Sequence, residues 1–116
     1  MAYKVVFHIN EPEKWPVLLG NVTNLLKDMG KDVEVRVLAN GPSVKAYADE
    51  ETIEKMKPLA EQGVKFLACR NSLKAFCSGG DVCIDEESLP DFVEVVPAGV
   101  SELTKRQAEG YAYIKP

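Results

Sequence analysis

Histidine is nearly missing from this chain and cysteine is scarce: His8 is the only histidine, and Cys69, Cys77 and Cys83 are the only thiols among 116 residues. An odd number of cysteines without regular spacing argues against a secreted disulfide framework and for free thiols in a reducing compartment. Their separations of eight and six residues fit neither the short paired spacing of structural zinc sites nor the C-x-x-C of thioredoxin-like redox centres, so no metal is expected. No apolar run approaches the roughly 18 residues of a membrane span, and the first is far shorter than a signal-peptide core. The chain is therefore expected in the cytoplasm, without membrane contact. Basic side chains are outnumbered by acidic ones, 14 to 18, and form no stripe interleaved with aromatics, which removes nucleic acid from the expected partners. The turn after the first apolar run, Asn10-Glu11-Pro12-Glu13, holds no glycine and two acids where a phosphate-binding loop needs bare amides. Flavin and nucleotide cofactors are accordingly not expected.

What is present is an ordinary soluble composition, 46% hydrophobic and 28% charged. Residues 1–116 read as one domain, long enough to bury about 65% of the surface its unfolded chain exposes. Residues 3–9 form a β-rich run stopped by Asn10-Glu11-Pro12. From Glu13 to Met29, apolar residues at Trp15, Leu18, Leu19, Val22, Leu25, Leu26 and Met29 recur every three or four positions, the one-sided pattern of an amphipathic helix. Pro16 sits where a helix needs no amide donor, and Gly30 ends the helix. Val33, Val35 and Val37 alternate with Glu34 and Arg36, which predicts a second strand at an edge of the sheet, with its charged side in water.

After the Asn40-Gly41-Pro42 turn and the tract 43–48, a helix is expected from about Asp49, with Ile53, Met56, Leu59 and Ala60 inward and a kink at Pro58. The apolar run Val64-Lys65-Phe66-Leu67-Ala68 reads as a buried third strand that ends on Cys69. Asn71 is placed as the cap of a short helix containing Leu73, Ala75 and Phe76. Residues 77–91 read as an irregular acidic excursion, followed by a strand over 92–96, a helix over 100–109 stopped by Gly110, and a last strand over 111–114. Strands alternating with helices predict an α/β fold with a five-stranded, mostly parallel, doubly wound sheet and flanking helices. In such sheets reactive groups collect beyond the carboxyl ends of the strands. That rule brings His8 and Asn10, Asn40 and Gly41, Cys69, Arg70 and Asn71, and Gly99 into one neighbourhood.

Several stretches together resemble the DsrE/DsrF-like proteins. They are Val5-Val6-Phe7-His8-Ile9-Asn10, Ala39-Asn40-Gly41-Pro42, Cys69-Arg70-Asn71-Ser72-Leu73, and the tail from Val96-Pro97-Ala98-Gly99-Val100 to Gln107-Ala108-Glu109-Gly110-Tyr111-Ala112-Tyr113-Ile114. The resemblance covers most of the chain. It implies a flavodoxin-related fold and assembly into trimers or hexamers. For some members it also implies a cysteine that carries persulfide in a relay between sulfur-donor and sulfur-acceptor proteins. That cysteine corresponds to Cys69. The excursion from Cys77 to Glu87 matches no family motif.

A thiol with its ordinary pKa of about 8.5 is only a few per cent ionised at neutral pH, so a reactive Cys69 needs help. Arg70, Lys74 and the helix opening at Asn71 are the sequence's sources of positive potential. Free cysteine is also among the most buried residue types, and a packing role stands beside the reactive one. His8 either orients a group at the same edge or packs between helix and sheet. Asn40, Gly41 and Gly99 either offer amides to an anion or serve the turns in which they lie. Two functions from other classes compete with sulfur relay. One is a non-catalytic oligomeric module binding a small ligand or a protein. The other is a thiol redox sensor in which Cys77 or Cys83 attacks an oxidised Cys69.

Overall fold

The computed structural model describes residues 3–78 and 84–116, with the side chains of Cys77 and Ser78 also left aside. Cys83 and the Cys77 side chain, the two candidates for a resolving thiol, thus lie outside the described residues. Five strands are present: β1 (Tyr3–Ile9), β2 (Val33–Ala39), β3 (Lys65–Cys69), β4 (Val93–Val96) and β5 (Ala112–Ile114). Four α-helices connect them: α1 (Trp15–Met29), α2 (Glu50–Glu61), α3 (Arg70–Ser78) and α4 (Gly99–Ala108). All strand pairs are parallel, in the order β4-β3-β2-β1-β5.

This order explains how the helices are distributed. From β1 to β4 the chain steps in one direction, whereas the return from β4 to β5 crosses the whole sheet the other way. Right-handed crossovers then require the returning helix to lie on the opposite face. One face carries Val5, Phe7, Val35, Val37, Phe66 and Ala68 and packs against Leu18 and Val22 of α1, Met56 of α2 and Leu73 of α3. The other face carries Val6, Leu38, Leu67 and Val96 against Leu103 of α4 and Tyr111. Burying one such Leu, Val or Phe contributes about 1.5–3 kcal/mol, so the larger layer dominates stability.

β2 is not an edge strand, contrary to the expectation drawn from Glu34 and Arg36. It pairs with β1 on one side and β3 on the other. The charges are tolerated because α4 brings its own. Glu102 Oε2 lies 3.3 Å from Arg36 Nη1 and 3.6 Å from Arg106 Nε, and Arg36 Nε donates to the Tyr111 hydroxyl at 3.2 Å. Alternation of polar residues thus marks the face covered by one polar helix, not an exposed margin.

Two other local features depart from the sequence reading. The tract after Asn40 forms a 3₁₀ segment, Gly41–Ala48, that buries Val44 and Tyr47 and receives the Trp15 indole N–H on the Ser43 carbonyl at 2.9 Å. The helix α3 begins at Arg70, directly after the strand, so Asn71 lies inside its first turn and Cys69 takes the capping position. Asp49 caps α2 by accepting from the Thr52 amide at 3.2 Å, and α2 continues through Pro58. Among the described residues no helix is long and apolar enough to cross a membrane.

Candidate functional site

The carboxyl ends of β1, β2 and β3 are held together before any chemistry is considered. The Asn40 amide donates to the Ile9 carbonyl and the Ser43 amide to the Asn10 carbonyl, both at 3.0 Å. The fully buried Ser43 hydroxyl sits 2.8 Å from the Ile9 carbonyl and 2.7 Å from that of Asn40. Gly41 has a φ of +59°, and a Cβ there would come within 2.5 Å of Asn10 Nδ2. Both the left-handed backbone and the missing side chain are needed for Asn10 to lie against the turn.

Cys69 ends β3 with its side chain 6% exposed. Burial alone would push its thiol up. Against that, the Ser72 hydroxyl and the amides of Ser72, Gly99 and Asn71 all donate toward the sulfur, and together they hold the thiol below its ordinary value. The amides two and three residues beyond a capping residue are those a cap satisfies, which is how the start of α3 supplies Asn71 and Ser72. Gly99 follows β4, the strand next to β3, at the point where α4 opens, and its N–H lies 3.3 Å from Sγ. The Ser72 Oγ accepts the Gly41 amide at 2.8 Å, which leaves its single proton for Cys69. One thiol therefore collects donors from two helix openings, and one of these donors is aimed by the turn after β2.

Beside it lies a second polar cluster. His8 Nε2 is 2.9 Å from Asn40 Oδ1, Asn10 Nδ2 donates to the same oxygen at 3.1 Å, and His8 Nδ1 is 2.6 Å from the Tyr113 hydroxyl. Asn40 is also the neighbour of Gly99: a Cβ on Gly99 would lie 3.3 Å from Asn40 Cβ and 3.4 Å from its Nδ2. His8, Asn10, Asn40, Gly41, Gly99 and Cys69 are thus brought to one edge. Arg70 is turned away from the sulfur. Its guanidinium makes a two-pronged pair with Glu86, at 2.7 and 3.2 Å, on the exposed surface. Asn71 contributes its backbone N–H. Ser72, Tyr113 and Glu86 take part without having been singled out in the sequence. Only Ser72 carried a signal there, as a hydroxyl three residues past a strand-ending cysteine.

Among the described residues no three His, Cys, Asp or Glu side chains come together as metal ligands. A groove of about 460 Å³ between Leu26, Gly30, Val33, Val35 and Val64 lies at the amino ends of the strands. That is the wrong end of an open α/β sheet for a reaction site, and the sulfur-directed donors are all at the other.

Comparison with known proteins places this geometry in a family. Residues 20–116 match the DsrE/DsrF-like family. No curated protein matches the chain. Among solved structures, the protein of unknown function MTH1491 from Methanobacterium thermoautotrophicum is 38% identical, with a TM-score of 0.85 over 98% of this chain and 99% of its own. The conserved protein of unknown function BT1422 from Bacteroides thetaiotaomicron shares the fold at 15% identity, with a TM-score of 0.69 over 97% of this chain and 94% of its own.

Proposed function

The chain belongs to the DsrE/DsrF-like family, and from that premise we propose that it is a sulfur-relay protein carrying persulfide sulfur on Cys69. The observation that carries this reading is the set of four donors converging on one thiol, which keeps it below its ordinary value despite burial. The Cys69 thiolate attacks the outer sulfur of a donor persulfide, forming an S–S bond as the donor leaves as a thiolate. In the second half an acceptor thiolate attacks the outer sulfur on Cys69, and Cys69 departs as the thiolate. Each half exchanges one S–S bond for another, so no external oxidant or reductant is required. The same donors that favour the resting thiolate also stabilise it as the leaving group.

A homo-oligomer, trimeric or hexameric, belongs to the same proposal. Tyr3, Val100, Tyr113 and Ile114 are exposed large hydrophobics on β1, α4 and β5, and among the described residues α4 is the one helix over the Val6, Leu38 and Leu67 face of the sheet. Free-thiol chemistry of this kind fits a reducing compartment such as the cytoplasm.

The test is intact mass after incubation with a sulfane-sulfur donor. Wild type gains one sulfur atom, the gain is reversed by an acceptor thiol, and Cys69→Ser gains none. An equal gain by Cys69→Ser, or no gain by wild type, sinks the reading. The burial of Cys69 favours one competitor, a non-catalytic module that binds a small anion at these amides. That module predicts thermal stabilisation by a ligand panel that is undiminished in Cys69→Ser.

A further inference from the structure

The hydrogen bonds around Asn40 have a direction. An amide oxygen only accepts, so the contact from His8 Nε2 to Asn40 Oδ1, 2.9 Å long, requires a proton on Nε2. In the neutral ring Nδ1 is then an acceptor, and the Tyr113 hydroxyl, 2.6 Å away, must donate to it. The Asn10 amide donates to the same Asn40 oxygen. With two donors on its oxygen, Asn40 has its Nδ2 on the side of Gly99, whose own N–H points at Cys69. The opposite polarity is chemically complete as well. Both amides flip, Asn40 Nδ2 donates to a bare His8 Nε2, and a proton on Nδ1 donates to Tyr113. The difference between the two lies at the other end of Asn40, which shows an N–H group in one case and a carbonyl oxygen in the other.

We propose that Tyr113, His8 and Asn10 act as positioning residues that hold Asn40 with its amide N–H₂ toward the sulfur on Cys69, where it donates to the terminal sulfur of the persulfide. This rests on the relay reading for the identity of the ligand. A sulfur added to Cys69 extends the side chain by about 2 Å, and Asn40 and Gly99 offer the outer atom neutral donors while Arg70 is engaged by Glu86. Neutral donors suit a singly charged, soft sulfur. Anionic sulfur on Cys69 and the Nε2–H form of His8 therefore favour one another, and the histidine reports the charge at the thiol across the sheet edge.

Because His8 is the only histidine, long-range proton–nitrogen spectra of uniformly labelled protein read its tautomer without assignment. The expected result is Nε2–H at neutral pH, retained or strengthened when the protein is loaded with sulfur. An Nδ1–H ring overturns the proposal whether or not sulfur loads. Two variants add a kinetic readout through iodoacetamide modification of Cys69, followed by peptide mass. Tyr113→Phe is expected to mix the tautomers and slow modification. Asn40→Asp, which turns a carboxylate oxygen toward the sulfur, is expected to slow it about tenfold and more than Asn40→Ala does. Equal rates for Asn40→Asp and Asn40→Ala, both folded by circular dichroism, overturn it. Failure of sulfur loading with the Nε2–H tautomer and the variant rates as expected would instead count against the relay alone.

Discussion

Replacing Gly41 by alanine tests the joint between β2 and the site. At φ +59° a non-glycine residue costs about 1–2 kcal/mol. The new Cβ also meets Asn10 Nδ2 at 2.5 Å and its Cγ at 3.0 Å, so the Asn10 side chain must leave and its hydrogen bond to Asn40 is lost, worth about 1 kcal/mol. The expected loss is about 2–3 kcal/mol, or roughly 10 °C in Tm for a domain of this size. Urea and thermal denaturation of Gly41→Ala, Asn10→Ala and the double variant separate the two causes. Asn10→Ala alone costs about 1 kcal/mol, and the double variant costs no more than Gly41→Ala, because the side chain being displaced is already gone. A coupling of about 1 kcal/mol is the signature of the clash. Strict additivity, within about 0.5 kcal/mol, would refute the close approach and leave backbone strain as the sole effect.

Four further outcomes follow from named contacts. Ser72→Ala removes a hydrogen bond to an ionised sulfur, worth about 1.5–3 kcal/mol, and is expected to slow iodoacetamide modification of Cys69 at neutral pH by about tenfold or more. Its pH–rate profile moves to higher pH, because the thiol held down by Ser72 is released upward. Glu86→Ala, which frees Arg70 on the surface, leaves the Cys69 rate unchanged, and its small effect on stability fades with added salt. Glu102→Ala strips the shared carboxylate from Arg36 and Arg106, which are only 15% and 16% exposed. Arg36 keeps Glu34 at 3.8 Å and Arg106 keeps Glu109 at 3.4 Å, so neither guanidinium is left unpaired, and the variant's urea midpoint is expected to fall by an amount equivalent to about 1–2 kcal/mol. Burial pushes the Tyr47 phenol well up, and its hydroxyl donates to the Leu67 carbonyl at 3.0 Å. A raised folded pKa means that this contribution is intact below the unfolded value of about 10 and is lost as pH rises beyond it, so Tyr47→Phe flattens the alkaline fall in stability.

What could be read from residues alone follows from the range of each interaction. β1 is bounded by its own turn residues and α1 by its own period, and both lie where pattern put them. Alternation points β2 to an edge because it reports how polar a face is, not what covers it. Besides Glu34 of its own strand at 3.8 Å, Arg36 has a closer carboxylate 66 residues away on α4, and nothing within the strand announces that second partner. Asn71 is the better capping type and places the cap of α3 two residues late, whereas here the sulfur of Cys69 takes the amides that a cap would take. The segment Gly41–Ala48 carries no periodic signal, since its apolar residues Val44, Ala46 and Tyr47 sustain neither a period of two nor one of 3.6.

The site divides along the same line. That the strand ends would meet follows from a topological rule for parallel sheets, which names a neighbourhood without naming contacts. Charge counting along the chain then favoured Arg70, the cation next to the cysteine. In three dimensions the Arg70 guanidinium is engaged by Glu86, 16 residues on, and adds nothing to what holds the thiol down. The thiol is served by dipoles: a serine hydroxyl aimed by Gly41, and three amides of which one arrives from a segment 30 residues distant. Backbone donors leave no trace in residue type, so a pocket built mainly from them is legible only through the small residues that let them approach. Gly99 is such a residue, since a Cβ there would come within 3.0 Å of Leu38 Cδ1 and 3.3 Å of Asn40 Cβ. Its lack of a side chain is what lets an amide from α4 reach a sulfur on β3.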